Sequence, residues 1–424
     1  MRIGRPGPLA LTERCALRST RKVAYSPRFL RSALVSTTSL AIAACTGIIG
    51  LPDVPDLALA DAGAPDVAVL PDSARPDASV SDATTSDAPI GDATTGDAPS
   101  DASDGGTGAP AASCTGRSGP GFDDCGPGSN GDCCESPIVS TSGGTFNRSF
   151  GPGAGTGSAP AKVSDFRLDK YEVSVARFRA FVAAVRAGYS PPIGSGKHSH
   201  LKDGTGTSVG LALSQAESGY EQGWTYVISP MMNAFVSAST SDTKSTYAAS
   251  PANERRPVNL VTWEEAYAFC IWDGGFLPSE AEWIFAAANG PMQLLWPWGN
   301  SANASLNYLV MDFNYPAGNT KATSNTVNQI APVGVPTLGV SKSGQFDMAG
   351  NLQEIVLDRP DTGFPNNQAT PASCTDCTTF VGSQVVVRGG NYGDPPIGAS
   401  GSTVRGLGSN GRYDYQGFRC ARSP

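Results

Sequence analysis

The chain has 424 residues, 40% of them hydrophobic, and contains 50 glycines and 33 prolines. So many helix-disfavouring residues argue against a helical bundle and for a large domain with much irregular backbone. The formal net charge is −8, and the chain beyond its basic first segment has no basic patch to neutralise phosphates, which disfavours nucleic-acid binding.

Residues 1–44 have the pattern of an export signal. They carry eight Lys or Arg and one Glu, and an apolar stretch ends at Ala44, just before Cys45. We therefore predict a cleaved signal peptide, and the small or aliphatic residues before Cys45 resemble a bacterial lipobox, which predicts acylation of this thiol. The chain would then be an exported cell-envelope lipoprotein held to a membrane, with Thr46 favouring the outer membrane. The alternatives are cleavage without lipidation and an uncleaved anchor.

Residues 45–112 read as a spacer. Twelve Asp and one Arg occupy residues 45–104, and Asp recurs every five residues from Asp72 to Asp97. A segment with so much like charge and few aromatic residues cannot bury enough apolar surface to fold. We predict a disordered, self-repelling tether.

Eight cysteines remain after Cys15 and Cys45, and an even number in an exported chain predicts disulfides. Residues 113–138 read as a small module stapled by two of them, with the pairing left open and zinc as the rival interpretation. Cys374 and Cys377 form a Cys-x-x-Cys sequence, for which we favour a local structural disulfide over a redox pair. The cysteines of the small module are Cys114, Cys125, Cys133 and Cys134.

The following segment, residues 139–424, is predicted to be the main domain. A short strand is expected from Asp165 to Tyr171, and Ser174 then caps a helix. Residues 190–250 are rich in Gly, Ser and Thr, which predicts long loops. Two capping boxes, Thr262 to Glu265 and Ser279 to Glu282, predict neighbouring helices.

Eight separated motifs resemble the formylglycine-generating-enzyme, or sulfatase-modifying-factor, domain. The resemblance implies an α+β fold related to C-type lectins, with little regular secondary structure, and a disulfide between Cys270 and Cys420. The motifs are Asp169-Lys-Tyr-Glu-Val173, Arg256-Pro-Val258, Thr262-Trp263, the run from Ala268 to Trp283, Trp296-Pro-Trp-Gly299, Asp347-Met-Ala-Gly-Asn351, Arg388-Gly-Gly390 and Gly417-Phe-Arg-Cys420.

Enzymes of this family use two cysteines to bind copper, and copper(I) needs such soft ligands. The matching positions here are Asp394 and Ala399, so we expect neither copper nor oxidase activity. An iron-dependent branch of the superfamily uses a histidine-rich bundle, whereas this chain has only His198 and His200, which we interpret as solvated loop residues.

Calcium is the expected cofactor. Hard cations prefer carboxylate and carbonyl oxygens, and Asp347 and Glu354 flank a turn that would direct the carbonyls of Gly350 and Leu352 inward. The family binds calcium at this motif; the alternative is a hydrogen-bonded turn without metal. A possible second site would use Asn307 and the Tyr308 carbonyl.

Aromatic residues near the missing cysteines are by default interpreted as core packing, but they could instead line a groove. Its candidate residues are Asn391, Tyr392, Tyr413 and Tyr415, which could contact a protein or a glycan at the cell surface. Two functions follow from the sequence: a surface-tethered, calcium-stabilised binding or scaffold module, which we favour, and an enzyme that still modifies a cysteine of a sulfatase or another protein.

Overall fold

The structure is a computed structural model and describes residues 111–148, 150, 159–209, 215–248, 250–319, 326–360, 374–379, 382–396, 405–408 and 410–424. All of them belong to one unit, Thr95–Pro424. The structure does not test the predictions that fall outside these residues. They concern the signal peptide, Cys45, the spacer up to residue 110 and Ala399. No helix in the described ranges is long and apolar enough to cross a membrane.

The helices begin where the capping residues predict. The Ser174 side chain accepts a hydrogen bond from the backbone of Arg177, and both predicted capping boxes are formed, at Thr262 and at Ser279. Each satisfies orphan amides of a first helical turn. The helices are α1 (Val175–Arg186), α2 (Gln222–Ser241), α3 (Trp263–Trp272) and α4 (Glu280–Ala288).

The 20-residue helix α2 corrects the prediction of long loops over residues 190–250, which was wrong here. Ile228, Met232 and Phe235 recur at helical spacing and are buried, and the Phe235 ring lies 5.0 Å from the ring of Phe178 in α1. Packing of this stripe outweighs the low helix propensity of the surrounding Gly, Ser and Thr residues and of Pro230 within the helix.

The strands are short and form small sheets. They are β1 (Ile138–Val139), β2 (Phe146–Asn147), β3 (Pro160–Lys162), β4 (Phe166–Leu168), β5 (Ser208–Val209), β6 (Gln215–Ala216), β7 (Gln353–Ile355), β8 (Cys374–Thr375), β9 (Cys377–Thr378), β10 (Val385–Arg388), β11 (Arg405–Gly408), β12 (Gln416–Gly417) and β13 (Ala421–Arg422). The sheet orders are β1-β4-β13, β11-β10-β7-β12, β2-β3-β8 and β6-β5-β9. The predicted α+β class with little regular structure is confirmed.

The main core lies between α1, α2 and α3 and is rich in aromatic rings. Phe178 contacts Phe181, Phe235, Phe269 and Phe418 at centroid distances of 5.0 to 6.1 Å. The disulfide between Cys270 and Cys420 is present beside them, as the family resemblance implied, and closes a sequence separation of 150 residues. In the chain-entropy model, closing a loop of this size contributes about 4 kcal/mol or more.

The cysteine-rich segment carries its two expected disulfides, Cys114–Cys134 and Cys125–Cys133. It packs against the main domain, because the buried guanidinium of Arg177 donates to the Ser113 hydroxyl and to the Cys133 carbonyl. Two groups of potential metal ligands were found in the described ranges, and both consist of these cysteines and one Asp. Since the sulfurs are bonded to each other, neither group offers zinc the thiolates of a structural site.

The predicted disulfide between Cys374 and Cys377 is also present. The two cysteines lie in strands of different sheets: Cys374 pairs with Ala161 of β3, and Cys377 pairs with Ser208 of β5. Both are buried. This bridge therefore holds two small sheets together, which agrees with the structural interpretation.

A buried ion pair connects the C-terminal segment to β7. Arg419 is fully buried, and its Nε and Nη2 atoms donate to the carboxylate of Glu354 at 2.7 and 2.6 Å. The remaining donors of its guanidinium reach the backbone carbonyls of Asp169, Lys170 and Phe346. Such full satisfaction is what makes a buried charge tolerable.

We expect Arg419→Leu to lower the free energy of unfolding by about 3–5 kcal/mol, because it leaves the Glu354 carboxylate buried without its partner. Urea denaturation measures this loss. The double variant Arg419→Leu/Glu354→Leu should recover part of it, since no unpaired charge of this pair remains. Equal losses in the single and double variants would contradict this explanation.

His198 is buried in an ionic cluster, so our interpretation of it as a solvated loop residue was wrong. Its Nδ1 lies 2.9 Å from Glu217 Oε2, and its Nε2 lies 3.0 Å from Glu282 Oε2. Burial alone would lower the pKa of His198, but the two carboxylates raise it to about 10. The imidazolium therefore joins the 190–220 segment to the first turn of α4.

The cluster predicts a pH dependence of stability. Because the folded-state pKa of His198 is raised from 6.5 to about 10, its contribution is complete below pH 6.5 and is lost as the pH rises towards 10. Between pH 7 and 10 the unfolding free energy of the wild type should fall relative to that of His198→Gln by at least about 1.4 kcal/mol, the equivalent of one pKa unit. Parallel pH profiles of the two proteins, measured by urea denaturation, would refute this assignment.

Candidate functional site

A groove of about 560 Å³ lies over one face of the four-stranded sheet. Each strand contributes at least one residue to its floor, since Gln353 is on β7, Val387 on β10, Gly406 on β11 and Gln416 on β12. The register places Val387 opposite Gly406, and Gln416 opposite Gln353. Its size falls within the range of about 300–1,000 Å³ that is usual for small-molecule sites.

Two glycines on the edge strand β11 keep the floor open. A Cβ on Gly406 would lie 2.6 Å from Cγ2 of Val387, so a larger residue does not fit there without a shift of its neighbour. A Cβ on Gly408 would meet only the Gln416 side chain, at 3.7 Å. Any side chain at position 408 would therefore extend into the groove.

Tyr413 and Tyr415 form one wall. Their rings stack with centroids 5.3 Å apart and planes inclined by 27°, and both side chains are partly exposed. The backbone holds this segment in place, because the Tyr413 carbonyl accepts from Leu260 and the Tyr415 carbonyl accepts from Gln353. The platform is thus fixed to the same sheet that makes the floor.

The segment from Asn391 to Asp394 forms the opposite wall. Gly389 and Gly390 precede it with φ values of 92° and 71°, a region that favours glycine. The backbone amide of Tyr392 then donates to the Asn351 carbonyl at 2.8 Å. Both Asn391 nitrogens donate to Oδ2 of Asp394, at 3.0 and 2.8 Å.

Charged groups cross the groove between these walls. Asp414 accepts from the Tyr392 hydroxyl at 3.0 Å and pairs with Lys244 Nζ at 3.1 Å. Burial and the neighbouring Asp414 carboxylate raise the pKa of Tyr392 well above its usual value, so this phenol stays protonated and donates. The ion pair leaves Asp394 as the groove's remaining charged group in the described ranges.

The groove contains Asp394, the position that we matched by sequence resemblance to a copper-binding cysteine. All eight cysteines of the described ranges are in disulfides. The donors in the groove are carboxylate, amide and phenol oxygens, which are hard ligands and fit copper(I) poorly. The donor set therefore does not match a copper thiolate centre.

The predicted calcium residues lie in a buried acidic cluster. Oδ2 of Asp347 accepts from the Gly334 amide at 2.6 Å, whereas its buried Oδ1 has no hydrogen-bond partner. Burial raises the pKa of Asp347 to about 6, and burial together with Asp347 and Glu354 raises the pKa of Glu172 well above its usual value. Asp347 thus has the capacity to bind a cation, while Glu354 is engaged by Arg419 and by the Trp283 indole.

The turn at Gly350 and Asn351 connects this cluster to the groove. The Asn351 side chain donates to Glu172 at 2.7 Å and accepts from the Ala331 amide at 3.0 Å, and Leu352 donates its amide to Glu172 at 3.1 Å. The Asn351 carbonyl accepts from Tyr392 in the groove wall. A change in the bonding of the cluster would therefore alter the position of the groove wall at Tyr392.

The residues of the possible second calcium site lie elsewhere on the surface. Asn307 is exposed, and its carbonyl accepts from the Leu338 amide at 2.8 Å. The Tyr308 ring packs against Trp298 at 5.2 Å. This second site remains a prediction.

Comparison with known proteins identifies the family. Residues 130–424 match the domain described as the sulfatase-modifying factor enzyme 1-like domain. The chain belongs to this family. It is 26% identical over 279 residues to a formylglycine-generating enzyme of Thermomonospora curvata, a match that covers 62% of this chain and 84% of the relative.

One more relative and one solved structure are similar to this chain. An inactive Cα-formylglycine-generating enzyme 2 of Mus musculus is 29% identical over 176 residues, and the match covers 39% of this chain and 49% of that protein, about half its length. Among solved structures, PvdO from Pseudomonas aeruginosa has 19% identity and a TM-score of 0.43, with 73% of this chain and 100% of that chain covered. The relatives thus include one named as a formylglycine-generating enzyme and one named as inactive.

The structure brings Asn391, Tyr392, Tyr413, Tyr415 and Asp394 into one groove. Sequence analysis did not identify the other polar and apolar members. Some come from distant segments, such as Lys244 and Gln353, and others, such as Asp414 and Gln416, are neighbours of the predicted tyrosines. The nearest signal was the alternation of glycines in Arg405-Gly-Leu-Gly408, which marks an open strand face. The members that were missed are Lys244, Phe313, Gln353, Val387, Gly393, Gly406, Gly408, Asp414 and Gln416.

Proposed function

We propose that this sulfatase-modifying-factor-like domain is a binding module that uses the groove and does not oxidise cysteine. The observation that carries the proposal is a complete groove with an aspartate at the position of a copper ligand. The floor is built by strand pairing and the wall at Tyr413 and Tyr415 by backbone hydrogen bonds. The Asp394 side chain accepts hydrogen bonds from Asn391 within the other wall. Family membership supports the fold, and function is argued from the site.

The alternative is an enzyme that modifies a cysteine in a sulfatase or another protein. The relative from Thermomonospora curvata carries the name of such an enzyme, which is why activity has to be tested. Copper-dependent oxidation requires soft ligands at the reaction centre, and the described part of the groove supplies oxygen and amide groups. This donor set supports the binding module.

We expect no formylglycine when the full chain is incubated with copper(I), O₂ and a cysteine-containing sulfatase peptide, because the groove lacks the thiolates that bind the metal. Mass spectrometry of the peptide detects the product. The Thermomonospora curvata relative serves as the positive control. Turnover by this chain above the copper-only background would overturn the proposal.

We also propose that calcium stabilises the domain at Asp347, together with the carbonyls of Gly350 and Leu352. The buried, unpartnered Oδ1 of Asp347 supports this assignment, since a hard cation would satisfy it. Glu354 would join the ligands only by giving up bonds to Arg419 and Trp283. Calcium here would act on stability and, through Asn351, on the groove wall.

Calcium at one hundred times its dissociation constant should stabilise the protein by about 2.7 kcal/mol relative to the chelated form. Thermal unfolding with and without chelator measures the effect. Asp347→Ala should abolish it, and exposed Asp203→Ala should leave it unchanged. The same melting curve in calcium and in chelator would exclude a stabilising site.

We also propose that the domain is exported and attached to a membrane. A signal peptide, an acylated Cys45 and an acidic spacer would present the groove away from a membrane surface. The ligand is then an extracytoplasmic molecule. A protein and a glycan are the two classes considered from the sequence.

A further inference from the structure

We infer that the groove binds a neutral oligosaccharide. This inference rests on the proposed binding function and names its ligand class. Three properties of the described groove carry it: an aromatic platform on one wall, side chains that both donate and accept hydrogen bonds, and a nearly balanced charge.

The stacked Tyr413 and Tyr415 rings form the platform. The rings stack with planes 27° apart, and both side chains are partly exposed and line the groove, so the pair offers aromatic surface to a ligand there. Aromatic rings contribute apolar contact while their hydroxyls still reach hydrogen-bond partners. The C–H face of a pyranose ring has the matching shape and polarity.

Carboxamide side chains supply the second property. Gln353, Asn391 and Gln416 line the groove, and a carboxamide has both donor and acceptor groups. The Asn391 side chain already donates to Asp394 and accepts from the Gly393 amide, so the ligand contacts are assigned to Gln353 and Gln416. Sugar hydroxyls also donate and accept, so they can satisfy these groups in pairs. Both bonds from Asn391 use Oδ2 of Asp394, which leaves the other carboxylate oxygen as an acceptor for a ligand hydroxyl.

Charge argues against strongly ionic ligands. Lys244 lies 3.1 Å from Asp414, so its charge is largely compensated and offers little attraction to phosphates or acidic sugars. One carboxylate, Asp394, remains without such a cation in the described groove. A neutral ligand avoids the desolvation cost of burying a further charge.

The position of the groove disfavours an extended peptide. Peptides that add a strand use the free backbone groups at a sheet edge. This groove lies over the face of the sheet, where Val387, Gln353 and Gln416 present side chains and Gly406 and Gly408 leave space. Recognition there depends on side-chain contacts, which suits a ring-shaped polar ligand.

The experiment titrates the full chain, purified in detergent, with cellotetraose, maltotetraose and chitotetraose by isothermal calorimetry. Tetragalacturonate and a cysteine-containing peptide serve as the ionic and peptide probes. We expect saturable binding of at least one neutral tetrasaccharide. Gly408→Leu, which fills the groove, and Tyr415→Ala, which removes half of the platform, should each weaken it about tenfold or more.

Two controls separate the groove from general stability. Tyr415→Phe keeps the ring and should stay within about threefold of the wild type, well under the tenfold loss expected for ring removal. Met292→Ala changes an exposed apolar residue outside the groove and should bind like the wild type. Melting curves verify that Gly408→Leu and Tyr415→Ala are folded; if one of them is not, the other still decides.

The inference is overturned if no neutral saccharide binds, if tetragalacturonate alone binds, or if saccharide binding is insensitive to both groove variants. Peptide binding that is lost in Gly408→Leu, without saccharide binding, would overturn the ligand class and leave the binding function intact. Failure of the proposed function itself is seen separately, as formylglycine formation in the oxidase assay. The two failures are therefore distinguishable.

Discussion

The ion pair between Arg419 and Glu354 is the interaction on which the rest of the domain depends. Arg419 lies two residues beyond the parallel pairing of β12 with β7, in which Gly417 is opposite Glu354, so the pair fixes the register of two strands that form the groove floor. The next residue, Cys420, is bonded to α3. A single tripeptide, Phe418 to Cys420, thus joins the aromatic core, the sheet and the disulfide, and this explains why a fully buried charge is acceptable here.

The same arginine is outnumbered by acids. Glu172 and Asp347 also act electrostatically on Arg419, so the cluster holds one cation and three carboxyl groups. Because the cluster is buried, water does not screen this excess of negative charge. The excess must be neutralised by protons or by a metal ion. The raised pKa values of Asp347 and Glu172 favour neutralisation by protons. The proposed calcium would neutralise the same charge as a metal ion. In both cases Asn351 connects the change in the cluster to the groove, because it is bonded to Glu172 and to Tyr392.

Local signals in the sequence predicted the parts of the fold that depend on neighbouring residues. The capping boxes at Thr262 and Ser279 were predictable because a cap is determined within one helical turn. The Cys270–Cys420 disulfide was predictable because the family resemblance implied it. Helix α2 was missed because its buried stripe is diluted by Ser and Thr. The partner of His198 in α4 is 84 residues away along the chain, and the floor of the groove comes from four strands. Contacts of this range have no periodicity that a single sequence reveals.

The groove does not depend on copper ligands for its shape. Its walls are held by backbone hydrogen bonds to Asn351, Leu260 and Gln353, and Asp394 stands where the sequence resemblance places a copper-binding cysteine. A carboxylate at this position offers no soft ligand and accepts hydrogen bonds from Asn391. A groove with a glycine floor and an aromatic wall can therefore exist here without a copper centre, and it has the groups that the proposed binding function needs.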